Sequence, residues 1–459
     1  MNTRISALSA LLSFLFVSAF IVWLFSLHGT IGLFRSELAF QIATVGLMLL
    51  GILPPGLLVI GRSRRKANAT GWRFIPVIVL SALGIAVAVL GFAYLNGAPF
   101  SPVGDIPPHL LISGSTGSRG IPDIAVVAYS RDHERKALTW GKAGSQDVIE
   151  EQVSTQQHVF MLRGLEPGTE YWYRLGNGFT YRFSTPRPEA TLRFAVGSDA
   201  HFGAGDNRKD LTVGMLDHIA DPFSQFDYFF SLGDLVELGF RDELWKEAFR
   251  TLSPTMSRIP TGFVAGNHDT LFTGLRRYLR FGYPSAVDLD SGNRLWWRFD
   301  VGDIHFIILD FESSGDTFSV EQASWLEEQL ECIPAEHWTI VLSHRYYYSS
   351  SLGGYLGKLY DDAAAVSRVT PLFEQYDVDV VFSGHDHHME LLEKSGVMYV
   401  VAGAFGGTPD RRPASVSSES VWYAAEDFGY VDVAVGDTET LIMFRNAAGE
   451  ELKSAVVAR

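Results

Sequence analysis

The chain has 459 residues, with 37 Lys and Arg against 52 Asp and Glu, for a formal net charge of −15. So acidic a balance argues against nucleic acid as a partner, because phosphate backbones call for basic stripes. It does not exclude a small phosphate substrate, since divalent cations can reverse a local field. Cys332 is the single cysteine, which rules out an intramolecular disulfide and a thiolate metal cluster.

The first 105 residues differ in character from the rest. Ile5–Leu27, Leu38–Ile60 and Phe74–Leu95 contain no charged residue. A bilayer core of about 30 Å is crossed by about 20 apolar residues in a helix, so the pattern predicts three transmembrane helices over about 5–27, 38–60 and 74–95. The loop between the second and third carries Arg62, Arg64, Arg65, Lys66 and Arg73, whereas the loop between the first two has only Arg35. The positive-inside rule then puts the amino terminus in the cytoplasm and everything after Asn96 outside it.

Residues 106–187 read as a small all-β domain. Leu110–Ser113, Ile124–Tyr129, Ala137–Gly141, His158–Arg163, Tyr171–Leu175 and Thr180–Ser184 are short strand-like runs broken by Gly, Pro and polar turns. The segment Leu165-Glu-Pro-Gly-Thr-Glu-Tyr171 resembles the fibronectin type III signature. In that signature a Tyr at a strand start bonds back to the preceding corner, which gives Tyr171 a structural role. No catalytic grouping is evident in this region.

Five polar blocks follow over 188–459, each after an apolar run: Asp199-Ala-His201, Gly233-Asp234, Gly266-Asn267-His268-Asp269, His344, and Gly384-His385-Asp386-His387. The preceding runs are Leu192–Val196, Tyr228–Leu232, Gly262–Ala265, Thr339–Leu342 and Val378–Phe382. Helical stretches alternate with them, one being Val320–Leu330, after which Cys332 is expected to be buried. Such alternation predicts an α/β domain with its site beyond the carboxyl ends of strands. Carboxylate, amide and imidazole together suit two hard or borderline metal ions. Glycines 233, 266 and 384 allow sharp turns and close approach. Tyr430–Val435 and Thr440–Phe444 read as a closing hairpin, and Gly403–Gly407 as a loop bordering the site.

The order of these blocks resembles the calcineurin-like metallophosphoesterase superfamily. With the β domain in front, the architecture is similar to that of the purple acid phosphatases. The resemblance implies a fold class of α/β catalytic domain, a β-sandwich flanked by helices, preceded by the fibronectin III-like sandwich and the N-terminal transmembrane segment. It further implies two divalent ions. Asp199, His201 and His387 would hold one, Asn267, His344 and His385 the other, and Asp234 would bridge them. A metal-bound hydroxide would attack phosphorus. His268 would face the substrate, with Asp269 orienting its ring, and Asn267 would contact the phosphate. Arg345, which follows His344 directly with Tyr346, Tyr347 and Tyr348 after it, reads either as a further phosphate contact or as part of a packed aromatic loop. The chain departs from the purple branch at two positions: Glu237 stands where that branch has a Tyr ligand, and His201 where it has Gly. Loss of the phenolate disfavours ferric iron and leaves Mn, Fe(II) or Zn as the expected metals.

The reading is a membrane-anchored hydrolase of phosphate mono- or diesters acting outside the cytoplasm. Lipid head groups and cell-envelope intermediates are among the candidate substrates. The alternative is a membrane protein that binds or senses a phosphate ligand through metal without turnover. The spans lack the intramembrane charges that transport pathways use.

Overall fold

The computed structural model describes residues 106–459 apart from 118, 131–134, 143–147, 153–155, 206–207, 272–273, 312–317, 351–361 and 411–415. The three expected spans lie outside the described residues. Among the described residues, no helix is long and apolar enough to cross a membrane.

Seven strands come first: β1 (His109–Thr116), β2 (Pro122–Tyr129), β3 (Lys136–Lys142), β4 (Val148–Gln152), β5 (Gln157–Leu162), β6 (Glu170–Leu175) and β7 (Thr180–Ser184). Strands β4-β3-β6-β7 form one sheet, while β1, β2 and β5 pair in a row of three. The Tyr171 hydroxyl accepts a hydrogen bond from the Glu166 backbone N–H at 2.8 Å, fixing the corner before β6. This region is not free-standing. Strand β1 continues in parallel onto a strand of the following region through the pair Leu111 and Thr261, and the Tyr173 hydroxyl donates to the Ser257 carbonyl at 2.8 Å.

The rest of the chain alternates strand and helix. The elements are β8 (Leu192–Gly197), α1 (Lys209–Ala220), β9 (Tyr228–Ser231), α2 (Asp242–Met256), β10 (Thr261–Phe263), α3 (Gly274–Phe281), β11 (Trp297–Val301) and β12 (Ile304–Ile308). There follow α4 (Val320–Glu331), β13 (Trp338–Leu342), α5 (Ala363–Arg368), α6 (Thr370–Gln375), β14 (Val380–Ser383), β15 (Met389–Lys394) and β16 (Val397–Ala402). The chain ends with β17 (Ser420–Ala424), β18 (Gly429–Val435), β19 (Glu439–Asn446) and β20 (Glu451–Ala458). One sheet runs β20-β19-β18-β8-β9-β10-β1-β2-β5, the other β11-β12-β13-β14-β16-β15-β17. The expected hairpin therefore does more than close on itself. Strand β18 pairs antiparallel with β8, and β20 pairs with β19 to extend the edge.

The two sheets face each other across an aromatic seam. Phe194 of β8 meets Phe306 of β12 and Phe382 of β14, and Phe230 of β9 meets Phe299 and Phe306. Period-two alternation explains why the central strands are apolar on both sides. Phe306 and Ile308 face this seam, whereas Ile307 joins a second cluster with Leu326 and Leu330 of α4 and Phe373 of α6. The same division separates Ile340 and Leu342 from Val341, and Val380 and Phe382 from Val381. Helix α4 starts at Ser319, whose hydroxyl accepts from the Gln322 N–H at 3.0 Å. Its buried stripe is Gln322, Leu326 and Leu330. Cys332 lies two residues beyond that stripe and is exposed, contrary to the expectation of burial.

Strands β8, β9 and β10 are parallel neighbours, as are β13 and β14. All five end at the same rim of the sandwich, and each of the five polar blocks begins within a few residues of that end.

Candidate metal centre

Tight turns deliver the side chains. Asp199, His201, Asp234 and His385 all adopt positive φ, at 63°, 48°, 47° and 70°. This region is costly for residues with a side chain and persists where the surroundings over-determine it. Here hydrogen bonds between blocks do so: Asp199 N–H to the Gly233 carbonyl at 3.1 Å, His201 N–H to the Asp234 carbonyl at 2.9 Å, and Gly384 N–H to the His344 carbonyl at 2.7 Å. The glycines permit the approach. A Cβ on Gly384 would collide with the Ser198 hydroxyl, and one on Gly266 with the Asp234 backbone nitrogen.

Each of the two aspartates is divided between scaffold and site. Asp199 Oδ2 accepts the His385 N–H at 2.8 Å, while Oδ1 faces His201 Nε2 at 3.7 Å and His387 Nε2 at 3.5 Å. Asp234 Oδ1 accepts the His268 N–H at 2.7 Å. Its Oδ2 lies 3.7 Å from His201 Nε2 and 3.4 Å from His344 Nε2, so one oxygen looks toward both histidine sets. Asn267 Oδ1 is 3.1 Å from His344 Nε2, and His385 Nδ1 is 3.3 Å from the same atom.

The rings are held from behind. His344 Nδ1 bonds the Leu232 carbonyl at 2.8 Å and His387 Nδ1 the Thr408 carbonyl at 2.6 Å. A carbonyl only accepts, so Nδ1 carries the hydrogen and Nε2 presents its lone pair to the site. His201 Nδ1 is backed by Glu237 Oε2 at 2.8 Å. Asp199, His201 and His387 form one group whose ligand atoms lie within 4.8 Å of one another, and Asp234, His344 and His385 form another.

This donor set fits two metal ions. Among the described residues, Asp199 Oδ1 and His201 Nε2 are buried polar atoms with no hydrogen-bond partner, and both face the first group's centre. Orphaned buried polar atoms are costly unless a ligand meets them.

Protons compete for the same lone pairs. Burial disfavours a charged His201, but Asp199 and Glu237 outweigh it and raise the ring to about 10. Burial likewise opposes charge on His344, yet Asp234 lifts it to about 9. Burial favours protonated Asp199 and Asp234, but the neighbouring histidines hold both well below the usual carboxylate range. His385 is pushed well below its ordinary value by burial and then by Arg345.

Two expected roles are corrected. Asp269 does not orient His268. Its carboxylate is buried and accepts the Val236 N–H at 3.0 Å and the Gly266 N–H at 3.2 Å, stapling two ligand loops. The His268 Nδ1 instead bonds the Glu237 carbonyl at 2.8 Å. Arg345 does not reach toward the open site. It is buried, donates to Asp362 Oδ2 at 2.5 Å, and touches His385 Nε2 at 2.9 Å from the side away from His344. It steadies a ring rather than a phosphate.

Other contributors gave no local signal. Thr408 acts through its backbone carbonyl, and its neighbour Gly407 donates to the Asp199 carbonyl at 2.7 Å, so the loop after β16 does border the site. Behind the last block, Asp386 bonds the Ser349 hydroxyl at 2.5 Å, and His388 bridges Glu390 and Asp410, each at 3.1 Å. Above the histidines opens a cavity of about 380 Å³ whose walls include Asn267, His268 and Glu237.

Because His201 and His344 hold protons up to about 10 and about 9, divalent metal binding at pH 7 should release protons, and affinity should rise with pH through that range. Titration calorimetry of the metal-free chain in buffers of different ionisation enthalpy checks this. Apparent enthalpies that do not vary with buffer would contradict it.

The chain is similar in sequence and in fold to known proteins. Residues 192–389 match the calcineurin-like phosphoesterase family. Purple acid phosphatase 21 of Arabidopsis thaliana is 27% identical over 296 residues, covering 60% of this chain and 64% of that protein. The structure of purple acid phosphatase PPD1 from yellow lupin (Lupinus luteus) seeds superposes with a TM-score of 0.65 at 20% identity, covering 77% of this chain and 74% of that one. The structure of PhoD gives 0.58 at 14% identity, covering 79% and 90%. At these identities the structural matches speak for the fold. The chain spans between half and two thirds of the length of the curated relatives it matches. It carries a calcineurin-like phosphoesterase domain and has purple acid phosphatases among its homologues.

Proposed function

We propose that the chain is a dinuclear-metal phosphoesterase, anchored in a membrane and hydrolysing phosphate mono- or diesters outside the cytoplasm. One observation carries the reading: Asp234 Oδ2 faces a histidine of each set while its other oxygen is pinned by a backbone N–H. A carboxylate so placed suits two cations, and without them its counter-charge comes from the protonated histidines around it. Asp199, His201 and His387 would hold one ion, and Asn267, His344 and His385 the other. Such ions supply Lewis acidity and water of lowered pKa.

The chain's own groups supply the rest. The His268 Nδ1 hydrogen is committed to the Glu237 carbonyl, which leaves Nε2 as the atom able to move a proton at the departing oxygen. Asn267, whose Oδ1 lies 3.1 Å from His344 Nε2, stands at the cavity wall where it would contact a phosphoryl oxygen. Asp269 holds the two loops that carry these groups. We read the seven-strand region before the domain as a fibronectin III-like spacer, supported by its sheet pairing and the Tyr171 corner.

Asp234→Asn in the purified full-length chain should lower turnover of chromogenic phosphate esters by roughly a thousandfold or more, and chelation should do the same reversibly. His268→Ala should cost about a hundredfold in kcat with little change in bound metal. Turnover that survives both chelation and Asp234→Asn would refute the dinuclear mechanism. Metal binding without turnover in the wild type would favour the ligand-binding alternative.

The membrane placement rests on the uncharged stretches 5–27, 38–60 and 74–95 and the basic loop between the last two. After cell fractionation, the chain should sediment with membranes and resist carbonate extraction, with its site open to protease from the outer side. Release by carbonate, or protection of the site in intact cells, would contradict it.

A further inference from the structure

Three carboxylates surround the centre, and they are not equivalent. Asp199 and Asp234 have side chains only 0% and 2% exposed, and each divides its oxygens between a backbone N–H and the ligand cluster. Glu237 differs: its side chain is 32% exposed and it lines the cavity. Its Oε2 lies 2.8 Å from His201 Nδ1 and 3.6 Å from His268 Nδ1, so the carboxylate stands between a ligand ring and the ring assigned to the leaving oxygen. It adds a negative charge at the mouth beyond the two groups assigned to metal above, although His201, Glu237 and His268 also bring ligand atoms within 4.8 Å of one another.

Fixed positive charge does not balance it there. Arg345, the cation expected at the phosphate, is drawn behind His385 and paired with Asp362. Among the described residues that line the cavity there is no Lys or Arg; the walls are histidine, amide, carboxylate, glycine, alanine and threonine. A phosphomonoester has a second ionisation near pH 6 and approaches two negative charges at neutrality. A phosphodiester lacks that ionisable oxygen and carries one. Bound at the two ions, the monoester would bring its additional charge into the cavity that Glu237 lines.

We propose that Glu237 is a specificity-determining residue that biases this site toward phosphodiesters over phosphomonoesters. The inference rests on the hydrolase reading above and narrows its substrate class. Charges several ångströms apart at a half-exposed site interact strongly enough for one unit of charge to change relative affinity roughly tenfold. Glu237 also backs His201, so the test must separate charge from support of the ring.

The measurement is kcat/KM of the full-length, metal-loaded chain for p-nitrophenyl phosphate and bis(p-nitrophenyl) phosphate, in wild type, Glu237→Gln and Glu237→Asp, with metal content recorded. The amide can still accept the His201 hydrogen bond but lacks the charge. Glu237→Gln should lower the diester-to-monoester ratio roughly tenfold, mainly through a lower KM for the monoester. Glu237→Asp keeps the charge and should hold the ratio within about twofold while slowing both reactions. Both kcat/KM values falling in step in Glu237→Gln, with their ratio unchanged, would overturn the inference and leave Glu237 as a support for His201 alone. Absence of turnover on either ester by the metal-loaded wild type would overturn the hydrolase reading itself, and the substrate inference with it.

Discussion

The arrangement depends on one carboxylate. Asp234 sits in a left-handed turn at the end of β9, gives one oxygen to the backbone of the neighbouring ligand loop, and turns the other between two sets of imidazoles. Much of the surrounding structure can be understood as what this placement requires. A buried charge with no counter-charge is strongly destabilising. In the protein alone, protonated histidines provide that counter-charge; in the metal-loaded protein, cations would. The positive φ angles at four site residues and the close glycine contacts show how tightly the loops are drawn together.

The fold makes that convergence affordable. Parallel strands β8, β9 and β10 on one sheet, and β13 and β14 on the other, all end at one rim. The aromatic seam between the sheets fixes how far apart those ends lie. Packing of this density deforms little, so the positions of the ligand loops are inherited from the core beneath them. The N-terminal strands add rigidity by extending the first sheet through β1 instead of standing apart from it.

Much of the site was legible in the sequence because its chemistry is local. Each block pairs a ligand with an apolar run before it, and strand-end placement follows from that alternation. What escaped was non-local. Asp269 follows His268 in the chain and looked like its partner, yet at a tight turn consecutive side chains diverge, and the carboxylate reaches back to Val236 and Gly266 instead. Arg345 follows His344 and diverges in the same way, arriving behind His385. The Thr408 carbonyl left no trace because a backbone group has no residue signature. The β1 to β10 pairing joins residues 150 positions apart, which no periodicity encodes. Glu237 was visible as a departure from a pattern, but its place between His201 and His268 required coordinates.

The most direct test of the account is the metal-to-protein ratio of the purified full-length chain, measured by elemental analysis alongside Asp234→Asn. If one carboxylate serves two ions, the wild type holds two equivalents, and the amide variant, with only neutral oxygen to offer both, loses the pair together. A wild type that holds one equivalent or none, or a variant that retains the wild-type ratio, would contradict the bridging role on which the rest of the account is built.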